Sequence, residues 1–257
     1  MAEAARKLDV LDIRPAFTQA DADALNARFA GVDTLEMLKT LFAEGILGNT
    51  AVVSSFGTES AVLLDLVARV KRDVPVIFVD TLKMFPETLA YRTQILDHVG
   101  LTNGQVVSPD LALIEKKDAT GLRWSYDPDG CCDIRKVEPL ARAKQGLDSW
   151  ISGRKAFQSQ TRAALPRFEI EDGRLKVNPL GEWVKADLDA YFEERNLPRH
   201  PLEAQGYLSI GCEPCTSIVQ DGEDPRAGRW RGWDKVECGI HGEPLKAPDD
   251  HSNDPVF

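Results

Sequence analysis

Apolar residues change their period several times along the chain, and each change marks an element. Leu25, Phe29, Leu35, Leu38, Leu41 and Phe42 recur at roughly helical spacing, so residues 1–48 read as a helical segment packed on the core that follows. The run NTAVVSSF is short and β-branched, as a buried strand is. GTESAVLLDLVARVKRD then reads as an apolar helix with Thr58 or Ser60 near its start. VPVIFVDT is a second strand, PETLAYRTQILDHVG a second helix capped by Gly100, and GQVVSP a third strand. A helical stretch at 132–145 leads to DSWISG, the fourth strand, and RLKVNPL, the fifth. KADLDAYFEERN is a helix that stops before Pro198.

Alternating strands and helices predict an α/β fold built on a parallel sheet. Beyond residue 220 the pattern dissolves into Gly, Pro, Asp and Arg, so a tail over 220–257 is expected to be mobile or held by specific contacts. The α/β unit itself is expected to span 49–219, with no internal repeat. Of the 257 residues 43% are hydrophobic and 28% charged, which suits a soluble globular chain. A net charge of −10 argues against a broad nucleic-acid surface, though a local basic cluster can still hold a small anion. No apolar run reaches the length of about 18 residues that a membrane helix needs, and MAEAARKLDVLDIRPAF lacks the apolar stretch of a secretory signal. The expected address is cytoplasmic, with no membrane partner; a homo-oligomer stays open. Five cysteines in such a setting point to metal binding or catalysis rather than a disulfide framework.

Three groups of residues carry chemistry. The first is SSFGTES after the first strand, where Ser54, Ser55, Phe56, Gly57 and Thr58 can bring backbone N–H groups to an anion at a strand end. It matches neither a Walker A loop nor G-x-G-x-x-G, and a tight β–α turn is the plain alternative. VDTLKMFPET adds Asp80, Thr81 and Lys83 at the same rim if the first two strands are neighbours. The second group is Cys131 and Cys132 side by side, with Cys212 and Cys215 in C-x-x-C spacing. Two thiol pairs suit an iron–sulfur cluster or a structural zinc, and adjacent ligands sit more easily on a cluster than on one ion. Arg135 and Lys136 place cations one turn away. The third group is basic: Arg154, Lys155 and Arg162 after the fourth strand, and Arg226, Arg229 and Arg231 in the tail. Guanidinium forks suit phosphate and sulfate. A lone thiol, Cys238, follows three residues before His241.

Taken together, SSFGTESAVLL, VDTLKMFPETLAYR, DPDGCCDIRKVEPL, WISGRKAFQSQTR, GCEPCT, GEDPRAGRW and ECGIHG resemble the assimilatory adenylyl-sulfate (APS) reductases of the iron–sulfur type, within the wider APS/PAPS reductase family. The resemblance runs from about residue 50 to residue 242. It implies an adenine-nucleotide α-hydrolase-like, Rossmann-like α/β domain with a flexible C-terminal catalytic tail. It implies reduction of APS to sulfite and AMP with thioredoxin as electron donor. Cys131, Cys132, Cys212 and Cys215 become ligands of one 4Fe–4S cluster, and Cys238 the nucleophile that carries a thiosulfonate. Ser54 to Thr58, Lys83, Lys136, Arg154, Arg162, Arg226, Arg229 and His241 become substrate-binding residues. Many members show Gly where this chain has Leu82. The competing readings are reduction of PAPS, an ATP-pyrophosphatase-type thiolation enzyme, whose fuller SGGxDS loop is missing here, and a zinc-stabilised nucleotide-binding regulator.

Overall fold

The computed structural model describes residues 17–158, 165–235 and 237–240. Two helices come first, α1 (Gln19–Arg28) and α2 (Thr34–Ala43). Thr18 and Asp21 close a reciprocal capping box on α1, and Asp33 caps α2 through the N–H groups of Leu35 and Glu36. Strand β1 (Thr50–Val53), helix α3 (Ser60–Ala68), β2 (Val76–Val79), α4 (Pro86–Val99) and β3 (Gly104–Val107) follow the expected alternation. Gly100 ends α4 in the left-handed conformation, as the sequence indicates. Helix α3 starts at Ser60, as expected, with Glu59 at the N-cap; Thr58 Oγ1 donates to the Leu208 carbonyl at 3.1 Å and Ser60 Oγ to that of Gly57 at 2.7 Å.

Helix α5 (Leu111–Asp118), capped by Asp110, is an element absent from the sequence reading. The helical stretch around the paired cysteines is longer than 132–145 at its start. It comprises α6 (Pro128–Cys132), a π-helical turn (Asp133–Val137) and α7 (Glu138–Ala143). Pro139 has no N–H to return to the carbonyl one α-turn earlier, and the Glu138 N–H donates to the Asp133 carbonyl instead. That wider turn carries Arg135 and Lys136.

Strand β4 (Ser149–Ser152) is followed by an antiparallel hairpin, β5 (Phe168–Glu171) and β6 (Arg174–Val177). RLKVNPL is therefore the sixth strand, not the fifth, because FEIE pairs with it across an Asp172-Gly173 turn with both φ positive. Helix α8 (Lys185–Arg195) ends at a left-handed Asn196. The six strands lie in the order β3-β2-β1-β4-β6-β5, all parallel except β5.

Side chains alternate across the sheet. Val52, Val76, Phe78 and Ile151 join the large core under α2, α3, α4 and α8. Ala51, Val53, Ile77, Val79 and Val107 face α7 through Leu140 and Ala143. Chain order reverses between β1 and β4, so the loops leaving their carboxyl ends, at Ser54 and at Gly153, frame a switch-point crevice of the kind in which α/β proteins bind ligands. Among the described residues no helix is long and apolar enough to cross a membrane.

Candidate active site

The loop after β1 is built around a strained, buried ring. Phe56 adopts φ 51° yet is fully buried, edge-on to Phe78 with centroids 5.4 Å apart. Its N–H donates to Ser54 Oγ at 3.2 Å. Holding a non-glycine residue there costs about 1–3 kcal/mol, and burial of the ring offsets it. Ser55 is left exposed at the crevice, with Gly57 partly so and Ser54 and Thr58 buried.

β1 and β2 are neighbours, which sets Asp80 and Thr81 beside this loop. Leu82 takes φ 61°, the conformation that favours glycine, with its N–H on Asp80 Oδ1 at 2.9 Å and half its surface exposed. Lys83 turns away from the rim: its Nζ donates to the Gly121 carbonyl at 2.6 Å, and it lines the cavity of the cysteines.

That cavity brings the two sequence-distant thiol pairs together. Cys131, Cys132, Cys212 and Cys215 all line it, none in a disulfide, with Lys83, Arg135 and Lys136 as its cations. The C-x-x-C segment docks on the loop after β2 through a bridge between Met84 and Cys212 and a 2.8 Å bond from the Glu213 N–H to the Lys83 carbonyl. Thr81 Oγ1 lies 3.1 Å from Cys212 Sγ. Burial pushes the Cys131 thiol up to about 12 and that of Cys132 to about 11, so a metal group binding here must displace protons. Among the described residues no three Cys, His, Asp or Glu groups gather closely enough for one ion. The thiols surround a cavity rather than a point, and an all-sulfur donor set of this kind fits a polynuclear iron–sulfur group.

Arg135 is fixed beneath the cavity. Its Nε and Nη2 donate to Asp118 Oδ2 at 3.1 and 2.8 Å and its Nη1 to the Thr81 carbonyl at 2.9 Å, with both charged side chains almost wholly buried. This second layer around the thiols includes Asp118, which lies on the helix the sequence reading missed.

Among the described residues, the chain from Thr216 to Glu237 makes specific contacts. Thr216 bridges Arg229, the Ser217 N–H donates to the Gly228 carbonyl at 2.8 Å, and the Trp230 N–H donates to that of Cys215 at 3.0 Å. Trp230 is buried, and three cations face its ring: Arg229 Cζ at 4.4 Å, Lys235 Nζ at 5.4 Å and Lys136 Nζ at 6.0 Å. Lys235 also pairs with Asp129 on the helix of the paired cysteines. Neither Trp230 nor Lys235 stands out in a tail without periodicity. Arg226 Nη2 reaches Glu237 Oε2 at 3.4 Å, tying it to the residue before Cys238. Arg231 is engaged with Glu223 at 2.9 Å and serves the turn.

Cys238 is partly exposed and free. The residues on its N-terminal side anchor it at this locus: Lys235 lies over the Trp230 ring that Lys136 and Arg229 also face, and Glu237 is reached by Arg226. Burial works against the charge on Lys136, but the sulfurs of Cys212, Cys132 and Cys238 outweigh it and raise its affinity for a proton. Burial lowers that of Arg229, with Cys238 opposing. Arg154, directly after Gly153 at the crevice, is paired with Glu169 of β5 at 3.0 Å. Arg162 and His241 lie outside the described residues.

Residues 49–218 match the family described as the phosphoadenosine phosphosulfate reductase domain. The chain belongs to that family. An adenosine 5'-phosphosulfate reductase of Mesorhizobium japonicum is 48% identical over 86% of this chain and 87% of its own. A phosphoadenosine 5'-phosphosulfate reductase of Gloeobacter violaceus is 42% identical over 74% of this chain and 81% of its own. Among solved structures, a phosphoadenylyl-sulfate (PAPS) reductase from Candida auris in complex with phosphate superposes with a TM-score of 0.66 at 30% identity, covering 79% of this chain and 98% of that one.

Proposed function

We propose that the chain reduces adenosine 5'-phosphosulfate to sulfite and AMP in sulfate assimilation, with Cys238 as the nucleophile and thioredoxin as the electron donor. Its family and relatives make it an oxidoreductase acting on a sulfur group. The observation that carries the reading is that the segment bearing Cys238 is anchored, through Lys235, at the Trp230 ring that Lys136 and Arg229 also face, beside four gathered thiols.

The nucleotide sits in the crevice framed by Ser54–Thr58, where the loop's N–H groups and the first turn of α3 face its phosphate. The Cys238 thiolate attacks the sulfur of the sulfuryl group. The bond from that sulfur to the bridging oxygen breaks, AMP leaves with the electron pair, and Cys238 carries an S-sulfonate. A thioredoxin thiolate then attacks Cys238 Sγ, the sulfur–sulfur bond breaks, and sulfite departs with the pair. A second thioredoxin thiol resolves the mixed disulfide and supplies the remaining electron equivalent. Because an anion attacks an anion, Lys136, Arg226 and Arg229 must hold compensating charge at the reacting sulfur.

Cys131, Cys132, Cys212 and Cys215 would hold a 4Fe–4S cluster. When bound, it would supply a structural and electrostatic centre, since Cys238 and thioredoxin account for both electrons. Arg162 and His241 remain expected contributors. Reduction of PAPS is the second reading, favoured by the likeness to the Gloeobacter and Candida PAPS reductases. The cysteine pairs, generally lacking in PAPS-specific members of the family, favour APS. The test measures sulfite from each nucleotide with reduced thioredoxin under anaerobic conditions. Sulfite from APS alone supports the reading, equal rates make the enzyme dual-specific, and sulfite from neither sinks it.

A further inference from the structure

A thiol on a surface segment has little intrinsic reason to stay in one place. Glycine flanks Cys238 on one side at Gly239, which takes φ 81°, and among the described residues the nearest helical turn ends at Cys215. Yet the segment is gripped on both sides of the thiol. Three residues before it, Lys235 is buried to 5% side-chain exposure, with its ammonium on the Asp129 carboxylate and over the Trp230 ring. Two residues after it, Ile240 packs into the cluster of Ala51, Ile77 and Leu140, which also holds Val53, Val79 and Val107, the last residues of β1, β2 and β3. This apolar contact therefore fastens the segment to the rigid sheet and to α7, directly after the turn that bears Lys136.

We infer that Ile240 is the positioning residue for Cys238: seated in the β1–β2–β3–α7 cluster, and with Lys235 on Asp129 as the second grip, it holds the thiol against Lys136 and Arg229 for attack on the sulfuryl group. The inference rests on the nucleophile assigned above and adds what aims it. The two grips differ in kind. The Lys235–Asp129 pair has its carboxylate 59% exposed, so water and salt weaken it. The Ile240 contact is apolar and is not weakened by charge screening. Both are small enough to open reversibly, and a reductant as large as a protein requires that they open, because Cys238 must leave the wall of cations to meet an external thiolate. Tight seating thus favours the first half of the reaction, and release the second.

The test uses the full-length, cluster-loaded protein, with Ile240→Ala and the conservative Ile240→Val. Two readouts separate the inference from the reading beneath it. The first is the rate at which iodoacetamide alkylates Cys238 without nucleotide, followed by peptide mass spectrometry; it needs no catalysis. Removing the branched side chain from a partly buried seat should raise this rate about tenfold in Ile240→Ala, with valine restoring it to within about threefold. The second is the single-turnover split. Formation of S-sulfo-Cys238 from APS should slow about tenfold in Ile240→Ala, while thioredoxin-driven release of sulfite from preformed S-sulfo enzyme should be unchanged or faster. Equal alkylation of wild type and Ile240→Ala overturns the inference. So does a loss shared equally by both half-reactions, which marks a general structural defect. If wild type forms no S-sulfo-Cys238 but alkylation still rises in Ile240→Ala, the seat stands and the nucleophile assignment falls.

Discussion

Gly211→Ala displaces Arg229 without replacing it. A methyl carbon built on Gly211 would lie 2.2 Å from Nη2, 2.5 Å from Cζ and 3.0 Å from Nη1 of Arg229, so the guanidinium rests flat against this backbone. Non-bonded heavy atoms settle at about 3.5 Å, and the side chain must therefore retreat by about 1 Å. Gly211 is not in the left-handed region, so alanine adds no backbone strain there, and its smaller unfolded-state entropy is worth about 0.4–1 kcal/mol in favour of folding. Against this stands the loosened stack of Arg229 on Trp230, now at 4.4 Å. The two effects nearly cancel, and the unfolding midpoint should barely move. Catalysis should respond differently. If Arg229 holds the sulfuryl group, a displacement of about 1 Å costs up to about a hundredfold. The expected result is a fall of about 10- to 100-fold in kcat/KM for sulfite formation, with near-normal thermal unfolding. A folded variant whose kcat/KM stays within twofold of wild type would refute the placement of Arg229 at the reacting sulfur.

Other perturbations test separate parts of the account. Asp118→Ala leaves the Arg135 guanidinium buried without its carboxylate beneath the thiols, and should destabilise the chain by about 3–5 kcal/mol in urea unfolding; a loss below about 1 kcal/mol would show that the pair is not desolvated. His200 accepts the Leu202 N–H on Nδ1 and therefore donates from Nε2 to Thr88 Oγ1, 3.1 Å away. Burial pulls its pKa down to about 4, against a slight opposing pull from Glu87. The folded ring stays neutral while the unfolded one takes up a proton, so its contribution is full above about pH 6.5 and is lost as pH falls toward 4, by up to about 3 kcal/mol. Urea unfolding across that window should show the decline, and His200→Gln should flatten it. Gly228→Ala would put a methyl carbon 2.1 Å from the Ser217 carbonyl oxygen, a backbone atom that cannot swing aside. It should break the pairing of 216–217 with 228–229, expose the segment to limited proteolysis, and lower activity more than tenfold; intact protection and activity would contradict the docking described above.

Much of this architecture is written in local pattern. The β-branched runs around Val52, Phe78 and Ile151 and the apolar faces of α2 and α3 announce buried strands and helices, because one period dominates each window. The hairpin of β5 and β6 is equally legible, since Asp172-Gly173 lies between two alternating runs, FEIE and RLKV. Helix α5 also carried its signal in the Asp110 cap, but its eight residues are too short to show a clear period. The cysteine pairs stand out by spacing, whereas their meeting in one cavity depends on the C-x-x-C segment docking beside β2, a contact spanning well over a hundred residues. Trp230, Lys235 and Ile240 were illegible for a related reason. Their partners, Lys136, Asp129 and the cluster around Leu140, come from distant elements, and nothing adjacent in sequence marks them. The positive φ at Leu82 is a different case, a backbone conformation that the residue type does not advertise.

The central claim is that Cys238 takes the sulfuryl group from the nucleotide. The most direct test mixes anaerobically purified protein with APS, without any reductant, and maps all five cysteines by mass spectrometry. The account predicts one sulfonate adduct, on Cys238, formed together with one AMP and discharged as sulfite by reduced thioredoxin. AMP or sulfite appearing with Cys238 unmodified, or sulfite formation undiminished in Cys238→Ser, would contradict it.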